Sequence, residues 1–379
     1  MDALREWLVE KTLPVWLARG IDQDCGGFHE KLAFDLTPVV DEGKRAMVQA
    51  RQCYVFAGPG AHLSGASAAA KGGFEFLRAH CRHPDGGWRH RTRRNGAPLD
   101  DTRDLYDQAL VLFASAWMIA TYGVEDARVI AEETLDYLEY DRSHPAGGYT
   151  EAVRGDGSLA DGPRRQNPHM HLFEALLALY DATGEDRFLE RAAHLFDLFC
   201  TRFMVDGTLR EYFTENLEPA PGDKGRIVEP GHHMEWVWLL HRYAGLSGDR
   251  SAVQTAEALY AFALLYGYDI RSGGVVDEVT NGGQVIKESR RLWPQTEALK
   301  GHVAHYGHTG DASTLVRVEK GVALLLKDHL DEMAGGWREH LDSNGKNFYG
   351  SYPASTLYHL AFAVAELEHL HQAVGKWAV

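Results

Sequence analysis

Apolar residues return at three- and four-residue steps through most of the chain, the period of helices with one buried face. Leu105, Ala109, Leu110, Leu112, Phe113 and Trp117 mark one stripe over residues 103–121; Val129, Ile130, Thr134, Leu135 and Leu138 mark a second over 124–138. Two more stripes cover 168–182 and 186–203. Between such helix pairs one small pattern recurs: two glycines, an aromatic or a substitute for it, then polar residues. It reads Gly26-Gly27-Phe28-His29-Glu30, Gly86-Gly87-Trp88-Arg89-His90 and Gly147-Gly148-Tyr149-Thr150-Glu151. A degraded copy, Asp206-Gly207-Thr208-Leu209-Arg210-Glu211, precedes Gly273-Gly274-Val275-Val276-Asp277-Glu278 and Gly335-Gly336-Trp337-Arg338-Glu339. From Gly26, Gly86, Gly147, Gly207, Gly273 and Gly335 the intervals are 60, 61, 60, 66 and 62 residues. That spacing is the mark of a repeat architecture. Gly72-Gly73-Phe74 breaks it and falls inside a helical pattern, so it is not a copy.

Glycine supplies the positive φ of tight turns, so each motif reads as a turn or short hairpin between helix pairs. The helices expected at 2–18 and 353–372 have no neighbour in sequence, and both carry broad apolar stripes. An open solenoid would need polar caps at its ends. Pairing the two terminal helices instead closes a ring of about twelve. The expected fold is a single all-α (α/α)6 barrel over residues 1–379, with no linker. The Gly/Pro-rich piece 217–225 reads as a loop over the barrel mouth.

Composition adds limits. A net charge of −15 argues against nucleic acid or an anionic membrane as partner, and no apolar run is long enough to span a bilayer. Cys25, Cys53, Cys81 and Cys200 show neither zinc nor CxxC spacing, and the charged N-terminus is no signal peptide; cytoplasm is the expected compartment.

In a helical toroid the pocket lies at the centre, lined by the starts of the inner helices. The fourth start, Glu229-Pro230-Gly231-His232-His233-Met234-Glu235-Trp236, puts His232 and Glu235 three residues apart on one helix face. A carboxylate one turn away can hold an imidazole in one tautomer or raise its basicity. The other starts offer Arg51, Tyr106, Asn167 with His171, Trp293 and His359. Asn167 also suits a helix N-cap followed by Pro168. His302, His305 and His308 have the spacing of metal ligands, yet no acidic residue joins them in sequence and they lie toward the end of their helix, so no metal is expected. GxSxG, phosphate-loop and dinucleotide patterns are absent.

Taken together, Arg51-Gln52, Tyr106, Asn167-x-x-x-His171, Pro230-Gly231-His232-x-x-Glu235-Trp236, Trp293-Pro294-x-Thr296-Glu297 and Tyr358-His359 resemble the N-acylglucosamine 2-epimerase superfamily of (α/α)6 barrels. The likeness runs over essentially the whole chain, and the motif around His359 looks closest to its mannose isomerase-like branch. The resemblance implies His232 and His359 as the acid/base pair. It implies Arg51, Tyr106, Asn167, His171, Glu235 and Trp293 as the lining of a monosaccharide site, with no cofactor and no metal, in a monomer or homodimer. The implied reaction converts an aldose of the D-mannose type to its 2-ketose, D-fructose, through a cis-enediol. A sugar 2-epimerase of the N-acylglucosamine, mannose/glucose or cellobiose type is the alternative on the same site. Two other classes stay open: an (α/α)6 glycoside hydrolase using two of Asp104, Asp107, Glu235 and Glu297, or a non-catalytic sugar-binding protein. Arg164, Arg165, Arg290 and Arg291 could sit at the mouth and meet an anionic sugar.

Overall fold

The computed structural model describes residues 2–331 and 334–374. Twelve helices form among them, several ending or running through a π turn. The six inner helices are Ala46–Ala57, Leu105–Tyr122, Gln166–Thr183, Pro230–Ser247, Leu292–Thr309 and Ala354–Val374. Each of the first five packs against the outer helix that follows it, namely 66–81, Glu125–Asp141, 186–203, Arg250–Tyr266 and 312–329. The sixth takes its outer partner from the far end of the chain, the helix at 2–19. Arg5 Nε donates to Glu368 at 2.7 Å, and Trp16 stacks on Trp337 at 5.8 Å between ring centroids. The ring is closed.

A crown of short antiparallel strands rims one end. The residues entering each inner helix pair with the strand that follows the next glycine turn. Lys44–Arg45 pairs with Arg91–Thr92, Arg103–Asp104 with Ala152–Val153, and Arg164–Arg165 with Tyr212–Phe213. Ile227–Val228 pairs with Glu278–Thr280, Arg290–Arg291 with His340–Leu341, and Ser351–Pro353 with Lys31–Ala33. The last of these again joins the two ends of the chain.

The recurring motif has a local cause. Gly87 sits at φ +71°, and a Cβ there would come within 2.4 Å of Tyr137 and 2.9 Å of the Gln108 amide. Side-chain-free backbone lets that amide clasp the next residue: Gln108 Oε1 accepts from the Trp88 N–H at 2.8 Å while its Nε2 donates to the Trp88 carbonyl at 2.9 Å. Gln49 does the same to Phe28, and Gln295 to Val275. In the third repeat His169 Nε2 takes the role, accepting from the Tyr149 N–H at 3.1 Å. Each clasp fixes the start of an inner helix against the preceding turn.

Two expectations change here. The third inner helix begins at Gln166 after Arg165, so Asn167 and Pro168 lie within its first turn and Asn167 is not the cap. Pro168 is tolerated because first-turn N–H groups have no partner inside the helix. Arg164 and Arg290 are buried rather than at the mouth; Arg164 donates to the carbonyls of Gly147 and Tyr149 at 2.6 and 3.0 Å, bracing the glycine turn. Below the crown, Tyr54, Phe113, Tyr358, Phe362 and Trp238 interlock at the axis with centroid spacings of 4.8–6.1 Å. They form a floor, and the space above it is the candidate site.

Candidate active site

The inner helices share one register. Six residues after the last residue before each helix stand Arg51, Leu110, His171, Glu235, Glu297 and His359; two residues after it stand Met47, Tyr106, Asn167, Gly231, Trp293 and Ser355. All eight residues expected from the sequence therefore lie in the first or second turn at the crowned end. Only His232 is out of those two series, one residue beyond Gly231.

His232 is buried, with Nδ1 2.9 Å from Glu211 Oε2. An ionised carboxylate only accepts, so Nδ1 carries the proton and Nε2 is left for chemistry. The orienting carboxylate is thus Glu211 and not Glu235, which makes no hydrogen bond to this ring. Glu211 belongs to the degraded fourth motif, and a comparison of repeats explains its role. In the first, third and fifth repeats the equivalent acid holds an arginine just ahead of the inner helix. Glu30 takes the Arg45 backbone N–H at 2.5 Å and its Nε at 2.8 Å; Asp277 takes those of Arg291 at 2.8 and 3.1 Å; Glu151 holds Arg165 likewise. In the fourth repeat Glu229 replaces the arginine. Glu211 Oε1 still accepts the backbone N–H, at 3.3 Å, but Oε2 is released to His232 and to Gln166 Nε2 at 3.0 Å.

His359 makes the matching dyad, Nδ1 to Glu297 Oε1 at 2.7 Å. Glu297 Oε2 meets Lys300 Nζ at 2.7 Å, both side chains fully buried. The ammonium lies over the faces of Trp238 and Phe362, 4.3 and 4.1 Å from their centroids. Trp293 stands near both histidines, its ring 4.8 Å from His232 and 5.9 Å from His359.

The dyads differ in charge. Burial works against protonating His232, but Glu211 and Glu229, with Glu235 beyond, outweigh it and hold the pKa up to about 9. Burial, the Arg51 guanidinium and Lys300 together pull His359 down to about 4, despite Glu297. At neutral pH one imidazole is a cation and the other a free base.

On the opposite wall Arg51 Nη2 donates to Tyr106 Oη at 2.6 Å and Nη1 to the Ser355 carbonyl at 3.3 Å, and the guanidinium lies 4.6 Å over the Tyr358 ring. His171 sits edge-on to Tyr106 and bonds Glu174 Oε2 through Nδ1 at 2.9 Å; Tyr358 Oη donates to the other Glu174 oxygen at 2.6 Å. Burial pulls the His171 pKa down. Burial, and then the nearby Glu297, push the Glu235 carboxyl well above its ordinary range. Arg51 Nε, Asn167 Oδ1 and Glu235 Oε1 are buried with no hydrogen-bond partner. Orphaned donors and acceptors in the first two turns of the inner helices suit a polyhydroxylated ligand, which can both give and take hydrogen bonds.

Of the four carboxylates that a hydrolase could pair, three are already engaged, which leaves Glu235 without a second. Asp107 accepts from the Met47 N–H at 3.1 Å and lies 2.8 Å from His90 Nδ1, Asp104 caps the Tyr106 N–H at 2.8 Å, and Glu297 serves His359. Two groups at the site, His171–Glu174–Glu235 and Glu211–Glu229–His232, bring potential metal-ligand atoms within 4.8 Å. In both, an imidazole nitrogen is already committed to a carboxylate.

The family model for N-acylglucosamine 2-epimerase matches residues 26–363. The chain belongs to the N-acylglucosamine 2-epimerase family. Within it, a mannose-6-phosphate isomerase from Rhizobium meliloti is 33% identical over 96% of each chain. A D-mannose isomerase from Marinomonas mediterranea is 26% identical over 95% of each, and a cellobiose 2-epimerase from Eubacterium cellulosolvens 26% over 91% of each. Among solved structures, a D-mannose isomerase superposes with TM-score 0.89 at 24% identity, covering 97% of this chain and 98% of its own. The α-mannanase BT2949 from Bacteroides thetaiotaomicron reaches TM-score 0.70 at 12% identity over 97% of each chain, a likeness of fold alone.

Periodicity and motifs did not mark Glu211, Glu174 or Lys300 as part of the site, and Tyr358 was named only as the neighbour of His359 in its motif. Glu211 was detectable: it is the acid at the fifth place of a recurring motif, in a repeat whose inner helix is preceded by Glu229 where the first, third and fifth have arginine.

Proposed function

We propose that this enzyme is an aldose–ketose isomerase acting on a free aldose of the D-mannose type, with His232 and His359 as its acid and base. The observation that carries the reading is the pair of histidine–carboxylate dyads on either side of Trp293, one imidazole held protonated and the other held as free base. Glu235, which burial biases toward its protonated form, protonates the ring oxygen while His171, which burial biases toward the free base, takes the anomeric hydroxyl proton, opening the sugar. His359 Nε2 then removes the C2 proton, the electron pair forms the C1–C2 double bond, and His232 gives its proton to O1. The cis-enediol results. Its O2 proton returns to His232, and His359 delivers its own proton to C1, which gives the ketose. Arg51 faces the oxygens on which charge develops, the place where a fixed cation favours the transition state. Trp293 supplies an apolar wall, and Tyr106 and Asn167 complete the hydroxyl-binding set. The whole barrel acts as one catalytic domain.

The choice of an uncharged sugar rests on the mouth. Arg45 is matched by Glu30, Arg165 by Glu151 and Asp104, and Arg291 by Glu229 and Asp277. A phosphate would have to displace one of these carboxylates. The decisive measurement is NMR of products from D-mannose in D2O, with D-mannose 6-phosphate in parallel. Fructose is expected, with deuterium at C1 to the extent that His359 exchanges with solvent. A higher kcat/KM for the phosphate ester would overturn the free-sugar assignment.

The same charge pattern favours one second reading. A neutral base and a cationic acid are also what a 2-epimerase needs to take the C2 proton from one face and return one to the other. Glucose without fructose would establish that outcome. The four cysteines are free thiols, as suits a reducing cytoplasm, and no described helix is long and apolar enough to cross a membrane.

A further inference from the structure

Histidines that play no part in the pocket gather at the other end of the barrel. Of the three with metal-like spacing in sequence, His302 is fully used: Tyr260 Oη lies 2.9 Å from its Nδ1 and Tyr268 Oη 3.0 Å from its Nε2. His305 is different. It is buried, its Nδ1 has no hydrogen-bond partner, and Glu257 Oε1 stands 3.5 Å away. His241, on the neighbouring inner helix, has both ring nitrogens buried and neither bonded. A neutral imidazole always carries one N–H and one lone pair, so His241 leaves a donor and an acceptor unmatched out of reach of water. One nitrogen of each histidine and one Glu257 oxygen lie within 4.8 Å of one another.

We propose that His241, His305 and Glu257 form a binding site for a zinc-class divalent cation, separate from the catalytic pocket. Two imidazoles and a carboxylate are a ligand set such ions take, with a fourth position left open. Contraction to bonding distances of about 2.0–2.2 Å falls mainly on Glu257, whose side chain is 45% exposed and free to swing. The Tyr260 ring, stacked on His305 at 3.9 Å, fixes that imidazole in place. His308, exposed and stacked on His241 at 5.1 Å, can fill the fourth position. His241 and His308 also line a cavity of about 470 Å³, through which an ion can enter. The ligands come from three helices, Pro230–Ser247, Arg250–Tyr266 and Leu292–Thr309, so a bound ion ties two adjacent hairpins together. His241 follows His232 by nine residues, about 13 Å along the helix, which sets this ion below the chemistry.

The test uses the full-length protein after chelator dialysis, titrated with Zn2+ and with Co2+. One equivalent of Zn2+ is expected to bind with a micromolar or tighter Kd and to raise Tm, and Co2+ to give the visible absorption of a four-coordinate site. Glu257→Gln and His241→Ala should each weaken binding at least tenfold and lose the cobalt spectrum, while His232→Ala keeps both. Glu257→Gln alters a half-exposed side chain and guards against loss of fold, and its sugar turnover should equal that of the parent. Failure of the parent to bind an equivalent would overturn the site. So would an equivalent that survives both Glu257→Gln and His241→Ala, or one that disappears in His232→Ala.

Discussion

His232 and His359 make nearly the same bond to a glutamate, at 2.9 and 2.7 Å, yet at neutral pH the first is a cation and the second is uncharged. The difference lies behind the carboxylates. Glu297 is shared with Lys300, and Arg51 adds a second cation near His359; Glu211 is shared with the neutral Gln166 amide, and Glu229 adds a second anion near His232. The rate should follow a bell in pH. As the proposed base, His359 must be neutral, so kcat/KM rises with pH through about 4; as the proposed acid, His232 must be protonated, so it falls through about 9. Removing the buried cation tests its part: Lys300→Met should move the acidic limb up, toward the ordinary imidazole value, and Lys300→Arg should restore it. Glu211→Gln should move the basic limb down. His359→Asn should lower kcat by about 10²–10⁴-fold, the usual weight of one acid/base group, with mannose binding retained in calorimetry.

At the scale of elements, the repeat was legible because its glycines answer a geometric need. A motif whose turn requires positive φ and close approach of a glutamine amide cannot drift far, and even the fourth copy keeps Asp206 at φ +53° and Gly207 at φ +77°. Gly87→Ala should destabilise the protein by about 1–3 kcal/mol, the range for a strained backbone position, read as a lower denaturant midpoint. Apart from His232, the expected site residues were legible for the same reason, as they recur at fixed offsets into the inner helices. Most partners of those residues were not. Glu211 reaches His232 from the preceding motif, legible only by comparing repeats, and Lys300 acts on His359 from another helix, which leaves no local spacing to read. Proximity in sequence pointed instead to Glu235, which faces the other wall of the pocket. The expected cap at Asn167 failed similarly: strand pairing of Arg164–Arg165 with Tyr212–Phe213 sets where that helix begins, overriding the side-chain preference.

For the whole molecule, closure depends on three contacts between the ends of the chain: helix 2–19 against Ala354–Val374, strand Lys31–Ala33 against Ser351–Pro353, and Trp16 against Trp337. Trp16→Ala should cost about 3–5 kcal/mol, as for other large buried aromatics. Its loss loosens the sixth hairpin, which carries His359, so proteolysis near residues 354–374 should quicken while the fourth hairpin stays protected.

The same closure imposes an order on biosynthesis. Helix 2–19 leaves the ribosome long before its partners, with Trp7, Leu8, Leu13 and Trp16 all destined for burial. The surface that covers them appears only about 330 residues later, roughly 20–70 s at ordinary translation speeds. For that interval the nascent chain carries an uncovered apolar face, a natural substrate for a chaperone. His359, too, arrives with the sixth inner helix. A chain released before that helix therefore lacks both the lock on helix 2–19 and the proposed base, so such products are expected to be inactive.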